Sequence, residues 1–248
     1  MKFICESSRR DASILAARVV ADVIKEKPDA TLGLATGSSP LDLYRELIRM
    51  YRNKELSFHK TKAINLDEYV SLSADHEQSY AYFMRKNLFD KIDIKKENTH
   101  IPSGLAPDLK EECLRYDAII ESLGRVDIQI LGIGHNGHIA FNEPSDSFSR
   151  STSLVSLTPS TVKANSRFFK PNEAPPAWAI TMGIGSILKS KRIILLAFGE
   201  EKAAPLEKAL FGPITPHLPA SALQLYSGEL TVCGDTAAFS LIKGKIKG

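Results

Sequence analysis

Cysteine is scarce in these 248 residues: Cys5, Cys113 and Cys233 stand far apart, with no C-x-x-C among them. An odd, scattered set excludes a disulfide framework and a thiolate zinc site, and it fits free thiols in a reducing cytoplasm. Long apolar runs are missing as well, so no stretch approaches the length of a membrane helix. The first residues, Met-Lys-Phe-Ile-Cys-Glu, are interrupted by Glu6 and then by Arg9 and Arg10, which leaves no signal-peptide core. Charge of one sign is lacking too. Against 32 Lys and Arg stand 29 Asp and Glu, a net charge of +3. No bulk electrostatic attraction toward nucleic acid follows from such a balance. There is no internal repeat and no low-complexity segment, and the lysines from Lys243 to Lys247 read as a solvated end.

What remains is the composition of a globular protein, 43% hydrophobic and 25% charged. At this length one domain or two are possible, and a single α/β domain buries a substantial core. Apolar runs at residues 2–5, 31–35, 62–65, 126–131, 179–182, 192–197 and 230–233 read as strands, and residues 151–157 as an extended segment. Between them, helical periodicity marks 11–25 (with Ser8 as cap), 41–51, 78–89, 109–123, 159–169 (with Thr158 as cap) and 184–188, and another helix opens at Gly199-Glu-Glu-Lys202. Strands alternating with helices predict an α/β fold. The expected form is one domain spanning residues 1–248, Rossmann-like, with a doubly wound, largely parallel sheet and helices on both faces. In the 78–89 helix, Tyr80, Phe83, Met84 and Leu88 are expected to face the core. Pro171, Pro175 and Pro176 make a kinked connection suited to a mobile lid, and Trp178 reads as a packing residue.

Three stretches at strand ends carry chemistry. After the 126–131 run comes Leu131-Gly-Ile-Gly-His-Asn-Gly-His-Ile-Ala-Phe-Asn-Glu-Pro144, with Gly132, Gly134 and Gly137 packed into six positions. Glycines there allow a tight turn and close approach to a ligand. His138 exchanges protons near neutral pH, and Glu143 follows five residues later. The glycines also fit the weak G-x-G-x-x-G pattern, but no acidic ribose partner supports a dinucleotide. The second stretch, Thr36-Gly-Ser-Ser-Pro40, joins a strand to a helix N-terminus. That arrangement suits an anion, and equally a plain capped turn. The third is Asn65-Leu-Asp-Glu-Tyr69, whose carboxylates sit where open α/β sheets place their chemistry, although an Asp-Glu pair after a strand is more often solvated. His59, His76, His100 and His217 lack metal-ligand spacing and read as surface or packing residues.

Together these stretches resemble the glucosamine-6-phosphate deaminases (glucosamine-6-phosphate isomerases), through G-x-G-x-x-G-H-I-A-F-N-E-P, N-L-D-E-Y and the Thr36 turn. Ala164-Asn-Ser-Arg-Phe-Phe169 and Lys202 resemble the family's phosphate-holding arginine and lysine; without the family, Arg167 would read as a surface ion-pair residue. The resemblance implies conversion of glucosamine 6-phosphate and water to fructose 6-phosphate and ammonia, with no redox cofactor and no metal in the chemistry; a monomer or small homo-oligomer without nucleic-acid or membrane partners is expected. It implies Asp67 as the base at C2, with His138 opening the pyranose ring and Glu143 orienting the imidazole. Thr36, Gly37, Ser38, Ser39, Arg167 and Lys202 would hold the phosphate, with Glu68 and Gly137 close to the substrate. Asn136 replaces an aspartate common in the family, so Glu143 alone is expected to support the imidazolium. His135 falls where the family pattern varies.

Two rivals share the architecture. A 6-phosphogluconolactonase typically continues G-H-T-A-S-L-F after the glycines, unlike Ile139-Ala-Phe-Asn-Glu143. A sugar-phosphate-sensing domain of a regulator normally carries a helix-turn-helix ahead of the first strand, which here begins at Lys2. Some hexameric family members are activated by N-acetylglucosamine 6-phosphate, held by cations just after N-E-P. Ser153 and Val155 stand at those positions here, beside Asp146, so no such activation is expected. Arg150 is the one residue able to compensate.

Overall fold

The computed structural model describes residues 1–171 and 173–246. In chain order the elements are β1 (Lys2–Glu6), α1 (Arg9–Glu26), β2 (Thr31–Leu34), α2 (Leu41–Arg52), β3 (Lys62–Asn65), β4 (Asp67–Tyr69) and α3 (Tyr80–Asn87). Then follow β5 (Thr99–His100), α4 (Leu109–Ser122), β6 (Ile128–Gly132), β7 (Ser153–Ser156), α5 (Pro159–Ser166) and β8 (Trp178–Thr181). The remaining elements are α6 (Ile184–Ile187), β9 (Arg192–Ala197), α7 (Ala203–Phe211) and β10 (Glu229–Asp235).

Local chemistry accounts for the helix starts. Ser8, Ser79 and Thr158 each accept a backbone N–H from the first turn of α1, α3 and α5, satisfying donors that the helix leaves unpaired. The strands run parallel in a seven-stranded sheet of order β1-β10-β9-β6-β2-β3-β5. All four residues of β2 and all but the first of β9 are buried, as expected of strands covered on both faces. From β2 the chain steps outward through β3 to β5. From β6 it steps the other way, through β9 to β10. The order therefore reverses between the neighbours β2 and β6, and the crevice at their carboxyl ends is the natural ligand position of an open parallel sheet.

A second sheet departs from the sequence expectation. β4, β8 and β7 form a three-stranded antiparallel sheet, with Asp67 opposite Thr181 and Ser153 opposite Thr181 on the other side. The 179–182 run reads as one more parallel strand, because apolar periodicity does not reveal which sheet a short strand joins. Tyr69, Phe141, Leu157, Phe169 and Ala179 form a small separate core in this region. Trp178 is about half exposed at the start of β8, so it is not the packing residue expected. Asn172, inside the kinked connection proposed as a lid, and Lys247, in the lysine-rich end, lie outside the described residues. No helix among the described residues is long and apolar enough to cross a membrane.

Candidate active site

At the switch point a cavity opens between the turn after β2, the loop after β6, the start of β4, α5 and the segment after β9. Thr36, Gly37, Ser38, Ser39, Asp67, His138, Arg167 and Lys202 all line it.

The turn after β2 bends at Gly37, whose φ of 81° is open to glycine at no steric cost. Among the described residues, none of the N–H groups of Thr36, Gly37, Ser38 and Ser39 has a protein acceptor. The helix that follows, α2, begins without a side-chain cap. Free amides at the positive end of a twelve-residue helix make a site for an anion.

The loop after β6 presents His138. Its tight return is closed by the Gly134 N–H donating to the His138 carbonyl (2.9 Å) and the Gly137 N–H donating to Gly134 (3.1 Å). A Cβ on Gly134 would lie 2.4 Å from His138 Nε2, so only glycine lets the imidazole reach this position. Behind the ring, Nδ1 stands 3.7 Å from Glu143 Oε2, an ion-pair distance once the ring is protonated. Asn136 brackets the pair. Its Nδ2 donates to Glu143 Oε2 (2.6 Å), and its Oδ1 accepts from the His138 N–H (3.2 Å). The neutral amide cannot share charge with the imidazole, but it fixes both the carboxylate and the loop. Burial pushes the Glu143 carboxyl up, yet His138, Thr161 and Asn136 outweigh it and hold its pKa down at about 2.

Asp67 and Glu68 point to different tasks. Asp67 is buried, and burial together with the neighbouring Glu68 charge raises its pKa well above the usual carboxylate range. That raises its proton affinity, the property a general base at neutral pH requires. Glu68 does not reach the cavity. Its carboxylate accepts the N–H groups of Tyr69, Tyr80 and Ala81 (2.8 Å each), so it anchors the N-terminus of α3 to β4. Burial raises its pKa to about 7 against those three donors. Its placement near the substrate is corrected accordingly. Gly137 likewise stays off the cavity wall, with φ 79° and a Cβ direction filled by Leu218.

Two cations face the turn. Arg167 follows α5, exposed, with its guanidinium 4.7 Å from the Phe168 ring centre. Lys202 ends a short 3-10 turn, Glu200–Lys202, just before α7, so it precedes the α-helix whose first turn it was expected to occupy. Burial lowers its pKa and the neighbouring Arg167 adds to this, against the opposing charge of Glu201. A bound phosphate would relieve both effects. His135 and Tyr80 also line the cavity. Tyr80 stacks on Phe141 (5.7 Å, 12°) instead of pointing simply into the core, and nothing in its helical spacing distinguishes a cavity wall from a core face. Asn165 is a further lining residue missed in the sequence; it donates to the Tyr69 hydroxyl (2.8 Å) and ties α5 to the small sheet. Among the described residues no cluster of three or more His, Cys, Asp or Glu could hold a metal ion.

Comparison with known proteins agrees in sequence and in fold. The family model for glucosamine-6-phosphate isomerases/6-phosphogluconolactonase matches residues 7–232. A glucosamine-6-phosphate deaminase from Lachnoclostridium phytofermentans is 51% identical over 94% of this chain and 99% of its own length. One from Thermoanaerobacter pseudethanolicus is 51% identical over 98% of this chain and 95% of its own. A solved monomeric glucosamine-6-phosphate deaminase superposes with a TM-score of 0.94 at 48% identity, covering 97% of this chain and 100% of that one. The 6-phosphogluconolactonase from Trypanosoma cruzi shares the fold alone, at a TM-score of 0.75 and 19% identity over 98% of this chain and 97% of its own. The chain belongs to the glucosamine-6-phosphate isomerase/6-phosphogluconolactonase family.

Proposed function

We propose that this protein is a glucosamine-6-phosphate deaminase, converting glucosamine 6-phosphate and water to fructose 6-phosphate and ammonia in amino-sugar catabolism. The observation that carries this reading is one cavity lined at once by a buried carboxylate, an imidazole, the free amides of the turn after β2, Arg167 and Lys202. A phosphorylated sugar spans such a cavity, with its phosphate held remotely and its first carbons beside the proton-transfer groups.

Each step has a group to perform it. His138 donates a proton to the ring oxygen, opening the pyranose, while Glu143, fixed by Asn136, stands behind Nδ1 and orients the imidazole. Asp67 then takes the proton from C2, and the electrons move to give the enolamine. Return of a proton at C1 gives an imine at C2, and water adds there to release ammonia and leave the ketose. Phosphate binding positions the reacting carbons without altering their chemistry. The protein acts as one domain, cytoplasmic, and as a monomer or small homo-oligomer, without a cofactor. Relatives at half identity that bear the deaminase name support this choice over a lactonase, whose likeness extends to the fold alone.

A coupled assay tests the reading directly. Ammonia and fructose 6-phosphate should appear in equal amounts from glucosamine 6-phosphate. Hydrolysis of 6-phosphogluconolactone without ammonia release from the amino sugar would replace the reading with the rival.

A further inference from the structure

Resting on the deaminase reading, we infer that Arg9, outside the cavity at the start of α1, is a positioning residue for the phosphate-binding turn. Its guanidinium meets three segments. Nη2 donates to the carbonyl oxygen of Ser38. Nε stands 3.1 Å from Oδ2 of Asp42, in the first turn of α2. The guanidinium carbon lies 5.2 Å from the ring centre of Phe198, a cation–π distance. Phe198 is buried and leads through Gly199, at φ 88°, to Lys202. One planar cation thus links the turn, the helix behind it and the strand end that delivers Lys202.

The peptide geometry gives this contact a consequence in the cavity. In a trans peptide the C=O and the following N–H point in opposite directions. Holding the Ser38 carbonyl on the Arg9 side therefore directs the Ser39 N–H away from Arg9, and Ser39 is a wall residue of the cavity. The same peptide carbonyl is met only weakly by the protein backbone, from the Leu41 N–H at 3.5 Å. Without the guanidinium, the peptide beside a flexible glycine is free to rotate and lose its donor orientation. Arginine suits the task because its fork serves a carbonyl, a carboxylate and a ring face at once, whereas lysine offers a point charge.

The experiment compares wild type, Arg9→Ala and Arg9→Lys in steady-state kinetics, in competition by inorganic phosphate and in thermal unfolding. For Arg9→Ala, the KM for glucosamine 6-phosphate and the inhibition constant of phosphate should rise in parallel by about tenfold, the scale of one lost charge-assisted hydrogen bond. The kcat should stay within about twofold, and kcat/KM for unphosphorylated glucosamine should be unchanged. Arg9→Lys should fall between. A lowered melting temperature with both constants within about twofold of wild type would mean that Arg9 only fastens α1 to α2, and would overturn the inference. Equal losses on glucosamine would overturn it too. If Arg9→Ala does not fold, Arg9→Lys decides: an unchanged phosphate inhibition constant sinks the idea. Wild type that binds phosphate in calorimetry in an Arg9-dependent way, yet releases no ammonia, would leave the turn intact and refute the deaminase reading instead.

Discussion

Two cavities lie on either side of the His138–Glu143 pair. His138 lines one, of about 180 Å³, and Glu143 lines the other, of about 230 Å³. They are similar in size and opposite in character. The first has Arg167, Lys202 and the free amides of the turn after β2. The second is walled by Ser145, Ser147, Ser149, Ser156, Phe148 and Val155, with no lysine or arginine among its described lining residues. Its charge comes from Glu143, whose Oε1 is buried and has no hydrogen-bond partner among the described residues. Volume alone would rank the second cavity as the better ligand site. Charge says otherwise, because a phosphate needs desolvated donors and cations, and a carboxylate facing it raises the cost of entry.

The largest effect that could break this contrast lies in the first cavity. Asp67→Asn should lower kcat by at least ~100-fold, the scale of a lost general base, with much smaller change in substrate binding. Exchange of the proton at C2 should fall with it. Near-wild-type exchange would move the base elsewhere. Glu68 is a poor substitute, since its carboxylate is occupied by three backbone N–H groups. Next in size are the cations. Removing Arg167 or Lys202 should raise KM for glucosamine 6-phosphate by roughly 10- to 150-fold, while unphosphorylated glucosamine should be far less affected. Comparable losses on both sugars would assign these residues to the fold.

Much of this was legible in the chain, and the parts that were not share a cause. The parallel strands announce themselves as buried apolar runs. The loop after β6 is legible because its glycines have a local reason to exist: at Gly134 any side chain would occupy the place of the His138 ring. The small antiparallel sheet was not legible, since β4 is three residues long and its partner β8 lies more than a hundred residues away. Glu68 reads from the chain as a residue near the substrate, and only the fold brings the N-terminus of α3 over its carboxylate. Arg9 reads as one of two charges breaking an apolar start, and only the packing of α1 against α2 places it at Ser38. Side chains whose meaning is a distant backbone atom leave no mark in local spacing.

The pair between the cavities offers a smaller, thermodynamic test. Because the Glu143 pKa is lowered in the folded state, its contribution to stability is present above the ordinary carboxylate pKa and is lost as pH falls through that value toward about 2. Glu143→Gln should therefore flatten the acid arm of the stability curve between about pH 4.5 and 2, removing at most about 3 kcal/mol of pH-dependent stability there. Denaturant midpoints measured across that range check it. An acid arm identical to wild type would mean that Glu143 is no better stabilised as an anion folded than unfolded.

The smallest expected effect concerns N-acetylglucosamine 6-phosphate, the activator expected only where cations follow N-E-P, in the segment that here walls the second cavity. An effector shifts a conformational equilibrium only by the difference in its affinity for two states. Val155 lines this cavity, and Ser153 stands two residues before it on β7, where cations would be needed. Asp146 lies between the lining residues Ser145 and Ser147 and adds a second anion to that of Glu143. Arg150 is exposed and outside the lining, with its backbone packed against Gly183 and Gly185. A site with carboxylates and no cation gives a sugar phosphate little affinity in either state, hence little difference to exploit. Rate curves with glucosamine 6-phosphate should be hyperbolic, and the acetylated sugar phosphate should leave them so, acting only as a weak competitor in the first cavity. Sigmoidal curves made hyperbolic by that compound would overturn the contrast between the cavities. Loss of the activation in Arg150→Ala would then identify the cation that overcomes the carboxylates.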